Sequence, residues 1–225
     1  MKLVKLVVVF FFGLNLLSLK AGMINFLPDA SLEISGAIEK KDYQLIEKHL
    51  NATKKIILND VGSGEVDVYL PLANKIFQKK LPVEVKNACI ATCVYLFLAG
   101  SKKTLKDGFI GVTESTSYYV NNWNLVHEQF ENPDKKASKE KLLAELKRIA
   151  KIETDFMSKI KMKDDLFYAL PKVNYTRGEK AFSFLVLKPE TLKKFGVTNL
   201  EGQMKVTSVL FGEDVAKNPG LYQIQ

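Results

Sequence analysis

At 225 residues, 47% hydrophobic and 26% charged, the chain has the length and balance of one sizeable globular domain, which excludes a disordered polymer and a polytopic membrane protein. Its net charge of +8 is carried by lysines spread along the sequence rather than gathered in one arm among aromatics, which argues against a nucleic-acid groove. Two cysteines and two distant histidines do not make a metal site, and no cofactor is expected.

The first element is "MKLVKLVVVFFFGLNLLSLKAG". Lys2 and Lys5 give it a charged start, Leu6 to Leu17 form an apolar run, and Ser18 to Gly22 supply small residues around a cut after Ala21. This pattern predicts a secretory signal peptide over residues 1–21. Its removal takes away Lys2, Lys5 and Lys20, so the charge falls to +5. A retained membrane anchor is the alternative, because Leu19 suits the cut poorly, although the run is short for a span. Either way the domain is expected outside the cytoplasm, periplasmic or secreted, touching a membrane only through an uncleaved N-terminal segment.

Next, Leu32, Ile34, Ala37 and Ile38 alternate as a strand, and Tyr43, Leu45, Ile46 and Leu50 line one side of a helix. Ile56 to Leu58 form a short strand running into a turn of Gly62, Ser63 and Gly64. The following helix buries Leu70, Leu72, Ala73, Ile76 and Phe77, with Pro71 in its first turn or two. A strand at Val83 to Val85 leads to "CIATCVYLFLAG", Cys89 to Gly100, read as a buried helix, and "DGFIGV" is another strand. Strand and helix alternate throughout, which predicts an α/β fold with a mainly parallel sheet built from βαβ units and covered by helices. In such sheets the loops at the carboxyl ends of strands carry chemistry, and two stand out: the Gly-Ser-Gly turn and the Asn87 to Ala91 helix entry.

Past Val112 the segment containing Tyr118, Tyr119, Trp123 and Phe130 is polar and loop-like. Its aromatics either face a partner or pack over the mouth of the sheet. A long helix follows, with Leu142, Leu143, Leu146, Ile149, Ile152, Phe156 and Ile160 at helical spacing and Ser138 as its N-cap. The strand "FSFLVL" and the helix "KPETLKKFGV", ending at Gly196, form a C-terminal appendage before a tail over 201–225. Cys89 and Cys93 are either two small buried hydrophobes or a disulfide at a helix entry; if both lie on one α-helix, their spacing suits a disulfide poorly.

The order of strand, glycine turn and helix at Ile57 to Phe77, followed by "NACIATCVYLFLAGSKKTLKDGFIGVTES", resembles the ClpP/crotonase superfamily, in particular the small exported ClpP-like serine proteases. The resemblance covers roughly residues 32–115, within a ClpP-like domain over 30–200 whose part from 116 is a helical extension, and "LKPETLKKFGV" at 187–197 strengthens it. It implies the ClpP/crotonase-like fold. In that family a Cys-Ala-Ser-Ala-Cys box carries the nucleophile and a strand closing with Gly-Val-His supplies the base. Counted onto this chain, the serine falls on Ala91 and the histidine on Thr113, so neither a deprotonatable hydroxyl nor an imidazole is present at those positions.

The resemblance further implies an oxyanion-type or ligand-binding turn at Gly62, Ser63 and Gly64, although the family has adjacent glycines there. The N-terminus of the helix at Ala91 is expected to offer free N–H groups to a carboxylate or peptide carbonyl. Thr92, one step from the nucleophile position and rotated by about 100° around a helix, and Ser63 are the fallback nucleophiles. Lys86, Lys102 and Lys103 are candidate bases only if a serine were present. His127 reads as a surface or core histidine, and His49 as a helix C-terminal cap. The resulting expectation is an exported, catalytically inactive protease homologue that binds peptide or a protein partner. The alternatives are an active serine/threonine-type peptidase with a displaced nucleophile, or a structural or assembly component, and a homo-oligomer is compatible with the resemblance.

Overall fold

The computed structural model describes residues 22–62, 64–123, 136–162, 166–167, 184–206, 209–210, 213–214 and 222–224. The signal segment, Ser63, His127 and Phe130 lie outside them. In chain order the elements are β1 (Met23–Phe26), β2 (Ser31–Ser35), α1 (Lys40–His49), β3 (Lys55–Val61), α2 (Val66–Gln78), β4 (Val83–Ile90), α3 (Cys93–Ala99) and β5 (Lys103–Val112). They continue with α4 (Thr116–Asn121), α5 (Lys136–Lys159), β6 (Phe184–Val186), α6 (Pro189–Lys194), β7 (Leu200–Met204), β8 (Val209–Leu210), β9 (Glu213–Asp214) and β10 (Tyr222–Ile224).

The main sheet runs β1-β2-β3-β4-β5-β6-β10, and β7 also pairs with β5. Pairs β2/β3, β3/β4, β4/β5, β5/β7 and β6/β10 are parallel, while β1/β2 and β5/β6 are antiparallel. This is the mixed α/β architecture with a mostly parallel sheet that the alternation predicts. Residues 201–225, read as a tail, instead contribute β7 and β10 to that sheet.

One face of the sheet carries Leu32, Ile34, Ile56, Leu58, Val83, Val85 and Leu105, all in the main core with the buried residues of α1, α2 and α3. Side chains alternate across a strand, so Glu33, Asn59, Glu84 and Lys86 point to the other face. There, Lys55 pairs with Glu84 at 3.1 Å and Lys86 with Glu33 at 3.7 Å. Helix α3 has no polar side: every residue from Cys93 to Ala99 is buried, as expected of a helix apolar all round. Burial of a single such Leu or Val stabilises by about 2 kcal/mol.

The pairing shifts at one level across three neighbouring strands. Register shifts occur at Asn59/Val61, Lys86/Ala88 and Lys106/Gly108. The residues at these shifts, Asp60, Asn87 and Asp107, have φ of 54°, 58° and 57°. Asp and Asn tolerate this left-handed region better than other side chains. Beyond the shifts the previously polar face becomes apolar, and Ala88, Ile90, Phe109, Phe184 and Val186 form a second buried cluster. Strand β4 therefore continues to Ile90, where the sequence places its end at Val85, because Asn87 interrupts the period that marks a strand.

Smaller differences follow from local packing. Helix α4 occupies part of the segment read as loop, with Tyr118 and Tyr119 buried rather than presented to a partner. Helix α5 begins at Lys136, two residues before the expected Ser138 cap. His49 is the last residue of α1 and Leu50 its C-cap, while the His49 carbonyl accepts a hydrogen bond from the Thr53 hydroxyl at 2.9 Å.

Candidate functional site

The carboxyl ends of β3, β4 and β5 lie side by side, and the residues singled out by the resemblance gather there. The Ala91 N–H donates to the Gly111 carbonyl at 2.9 Å, which places Ala91 beside the end of β5, two residues before Thr113. Ala91 itself has φ 56°, so the chain turns sharply between β4 and α3. A left-handed alanine is strained relative to glycine, by about 1 kcal/mol.

Cys89 on β4 and Cys93, the first residue of α3, are joined by a disulfide with Cα atoms 5.3 Å apart. Both are fully buried. The objection from helical spacing does not apply, because only Cys93 is helical and the left-handed turn at Ala91 brings the strand residue back toward it. The disulfide thus closes a loop around Ala91 and Thr92.

Thr92 is the N-cap of α3 rather than a residue within it. Its hydroxyl oxygen accepts a hydrogen bond from the Gly64 N–H at 2.8 Å, linking the helix entry to the glycine turn 28 residues away. Beneath that turn lies Tyr69 of α2, fully buried. Its hydroxyl accepts from the Ile38 N–H at 3.1 Å and donates to the Gly62 carbonyl at 3.3 Å. Burial pushes the Tyr69 phenol well above its usual range, partly offset by the Ile38 N–H and by a hydrogen bond with Thr92. A β-carbon on Gly64 would meet the Tyr69 ring at 2.5 Å and the Ile38 carbonyl oxygen at 3.2 Å, so only glycine fits.

The helix entry differs from the expected one in its start and in its neighbour. Helix α3 spans seven residues and starts at Cys93, and the Gly64 N–H that faces it already has the Thr92 oxygen as its acceptor. None of the candidate lysines belongs to this end of the sheet. Lys103 starts β5 at the opposite end, donates to the Gly100 carbonyl at 2.7 Å and has its pKa lowered by burial. Lys86 pairs with Glu33 midway along β4, and Lys102 pairs with Glu201 at 2.8 Å.

One titratable group at this end escaped the sequence reading. Glu114, directly after Thr113, is half-buried, and burial pushes its carboxyl up, opposed in part by hydrogen bonds including one from the Tyr119 hydroxyl at 3.5 Å. Its position just past the carboxyl end of a central strand is the signal that could have found it.

No protein-family model and no curated protein matches the sequence. Among solved structures, the ClpP1 N165D mutant from Listeria monocytogenes is similar at 10% identity and TM-score 0.44, covering 78% of this chain and 92% of that one. An enoyl-CoA hydratase from Bacillus anthracis matches at 12% identity and TM-score 0.32, over 42% of this chain and 51% of that one. One from Rhodobacter sphaeroides matches at 9% identity and TM-score 0.32, over 44% of each chain. The chain spans about half the length of these hydratases, and likenesses this loose assign neither a family nor a chemistry.

Proposed function

We propose that this chain is an exported ClpP/crotonase-like protein that does not hydrolyse peptides and acts by binding an extended peptide or a protein partner. The observation that carries this reading is the turn between β4 and α3. Ala91 occupies it in a left-handed conformation, yet brings no nucleophilic atom. Chemistry of the serine-protease type requires a hydroxyl with a base in hydrogen-bond reach. Among the described residues, the Thr92 hydroxyl is engaged with Gly64, and Thr113 offers no imidazole. Export rests on the Lys2 to Gly22 pattern.

The test is treatment of the purified protein with a fluorophosphonate probe and an unfolded protein substrate. Neither labelling nor cleavage is expected, and Ala91→Ser alone is expected to restore neither, because a serine there still lacks a base. Labelling of the wild type that disappears in Thr92→Ala or Ser63→Ala would establish the displaced-nucleophile alternative instead.

A self-assembling component is the second reading. The large hydrophobic side chains that stay exposed among the described residues, Met23, Phe26 and Leu45, lie on edge strand β1 and neighbouring helix α1.

A further inference from the structure

We propose that β1 is the docking edge of the protein, pairing antiparallel with β1 of a second copy across a twofold axis at Asn25; this rests on the assembly reading above and specifies its surface and register. The ladder with β2 decides which backbone groups are free to pair. The Leu27 N–H donates to the Ser31 carbonyl at 2.8 Å, one step beyond the Phe26–Leu32 pair. Bonded and non-bonded residues alternate along an antiparallel strand, so Met23 and Asn25 bond to β2 while Ile24 and Phe26 turn their N–H and C=O groups outward. Among the described residues no strand pairs with that edge.

A second copy is the occupant that this edge matches. A twofold axis normal to the sheet keeps each face continuous between copies, so opposed residues must share a face and free groups must oppose free groups. With Asn25 on the axis, Ile24 opposes Phe26 of the second copy and Phe26 opposes Ile24, so the outward groups of both residues find partners. A shift of one residue sets Ile24 against Asn25 and leaves those groups unmatched. The apolar side chains match as well. Ile24 packs on the main core and the Phe26 ring stacks on His49 at 5.2 Å, which puts both on the α1 side of the sheet. Leu45, one turn before His49 on the same helix face, is 45% exposed. Centring the axis on Ile24 instead sets Phe26 against Gly22 and buries less apolar surface.

The experiment oxidises purified Asn25→Cys and Met23→Cys with copper phenanthroline, runs each on a non-reducing gel and measures the wild-type mass by light scattering. Both substitutions replace exposed side chains, so the fold is kept. A non-bonded antiparallel pair sets its Cα atoms about 4.5 Å apart, within the span of a disulfide, so Asn25→Cys can join to its copy across the axis. Met23 opposes Leu27 in this register and lies about 13 Å from Met23 of the second copy. The expected result is a wild-type dimer, with Asn25→Cys converted to a covalent dimer that dithiothreitol reverses and Met23→Cys left as monomer on the gel. A dimer in solution whose Asn25→Cys variant crosslinks no more than Met23→Cys overturns the strand pairing, while the assembly reading stands. A wild type that remains monomeric overturns both.

Discussion

Glu153 on α5 is 2% exposed, and its carboxylate gathers donors from two other elements. It accepts from the Ser117 N–H at 2.9 Å, the Ser117 hydroxyl at 3.0 Å, the Thr116 N–H at 3.4 Å and the Tyr95 hydroxyl of α3. Removing it takes the acceptor from two buried residues, Tyr95 and Thr116, so Glu153→Ala is expected to cost about 3 kcal/mol. Tyr95→Phe, which deletes one donor, should cost about 1 kcal/mol. Urea unfolding measures both, and equal losses would contradict a shared acceptor. Glu114 is one of three carboxyls, with Asp60 and Glu153, that burial pushes up and that make stability depend on pH. Its carboxyl is pushed up by burial, so the folded state holds its proton at pH values where the unfolded chain, titrating near pH 4.3, has released it. Its stabilising contribution is complete below the unfolded pKa and is lost as pH rises through the higher folded one. Glu114→Gln should therefore gain stability relative to wild type as pH climbs from about 4 toward neutrality; a pH-independent difference in urea midpoints would remove that assignment.

The turn from β4 into α3 depends on its elements acting together. The disulfide closes a loop of only a few residues, for which the chain-entropy estimate is about 2 kcal/mol. Cys89→Ala/Cys93→Ala should lower stability by about that amount, dithiothreitol should do the same to the wild type, and the double variant should not respond to the reductant. A wild type indifferent to reductant under unfolding conditions would mean that the two thiols are not joined. The sequence placed both cysteines at a helix entry but left their pairing open, because periodicity cannot tell a helix from a strand followed by a turn over so few residues. Asn87 and Ala91 are the residues that decide it, through left-handed conformations that no apolar pattern encodes.

For the whole molecule, the telling feature is β1, the antiparallel edge of an otherwise mostly parallel sheet. It carries Met23 at 60% and Phe26 at 43% exposure, and the Phe26 ring stacks on His49 of α1 at 5.2 Å. The strand itself carries no lysine or proline, and among the described residues its outer edge has no partner strand. If the assembly reading holds, light scattering should find a multimer, and Phe26→Asp should shift it to monomer while costing no more than about 1 kcal/mol of stability from the lost stacking on His49. A wild type that stays monomeric at all concentrations would dispose of that reading.

The sequence by itself determined the α/β class, since apolar runs of strand length separated by amphipathic helices leave few other ways to bury both. It also determined that Ala91 and Thr113 stand at the two positions counted from the resemblance, because residue identity needs no coordinates. Only the tertiary structure decided that β4 runs on past Asn87, that Cys89 and Cys93 join, and that Thr92 occupies the Gly64 N–H. Each of these depends on groups brought together by turns and register shifts, and local pattern cannot register a contact between residues 28 apart.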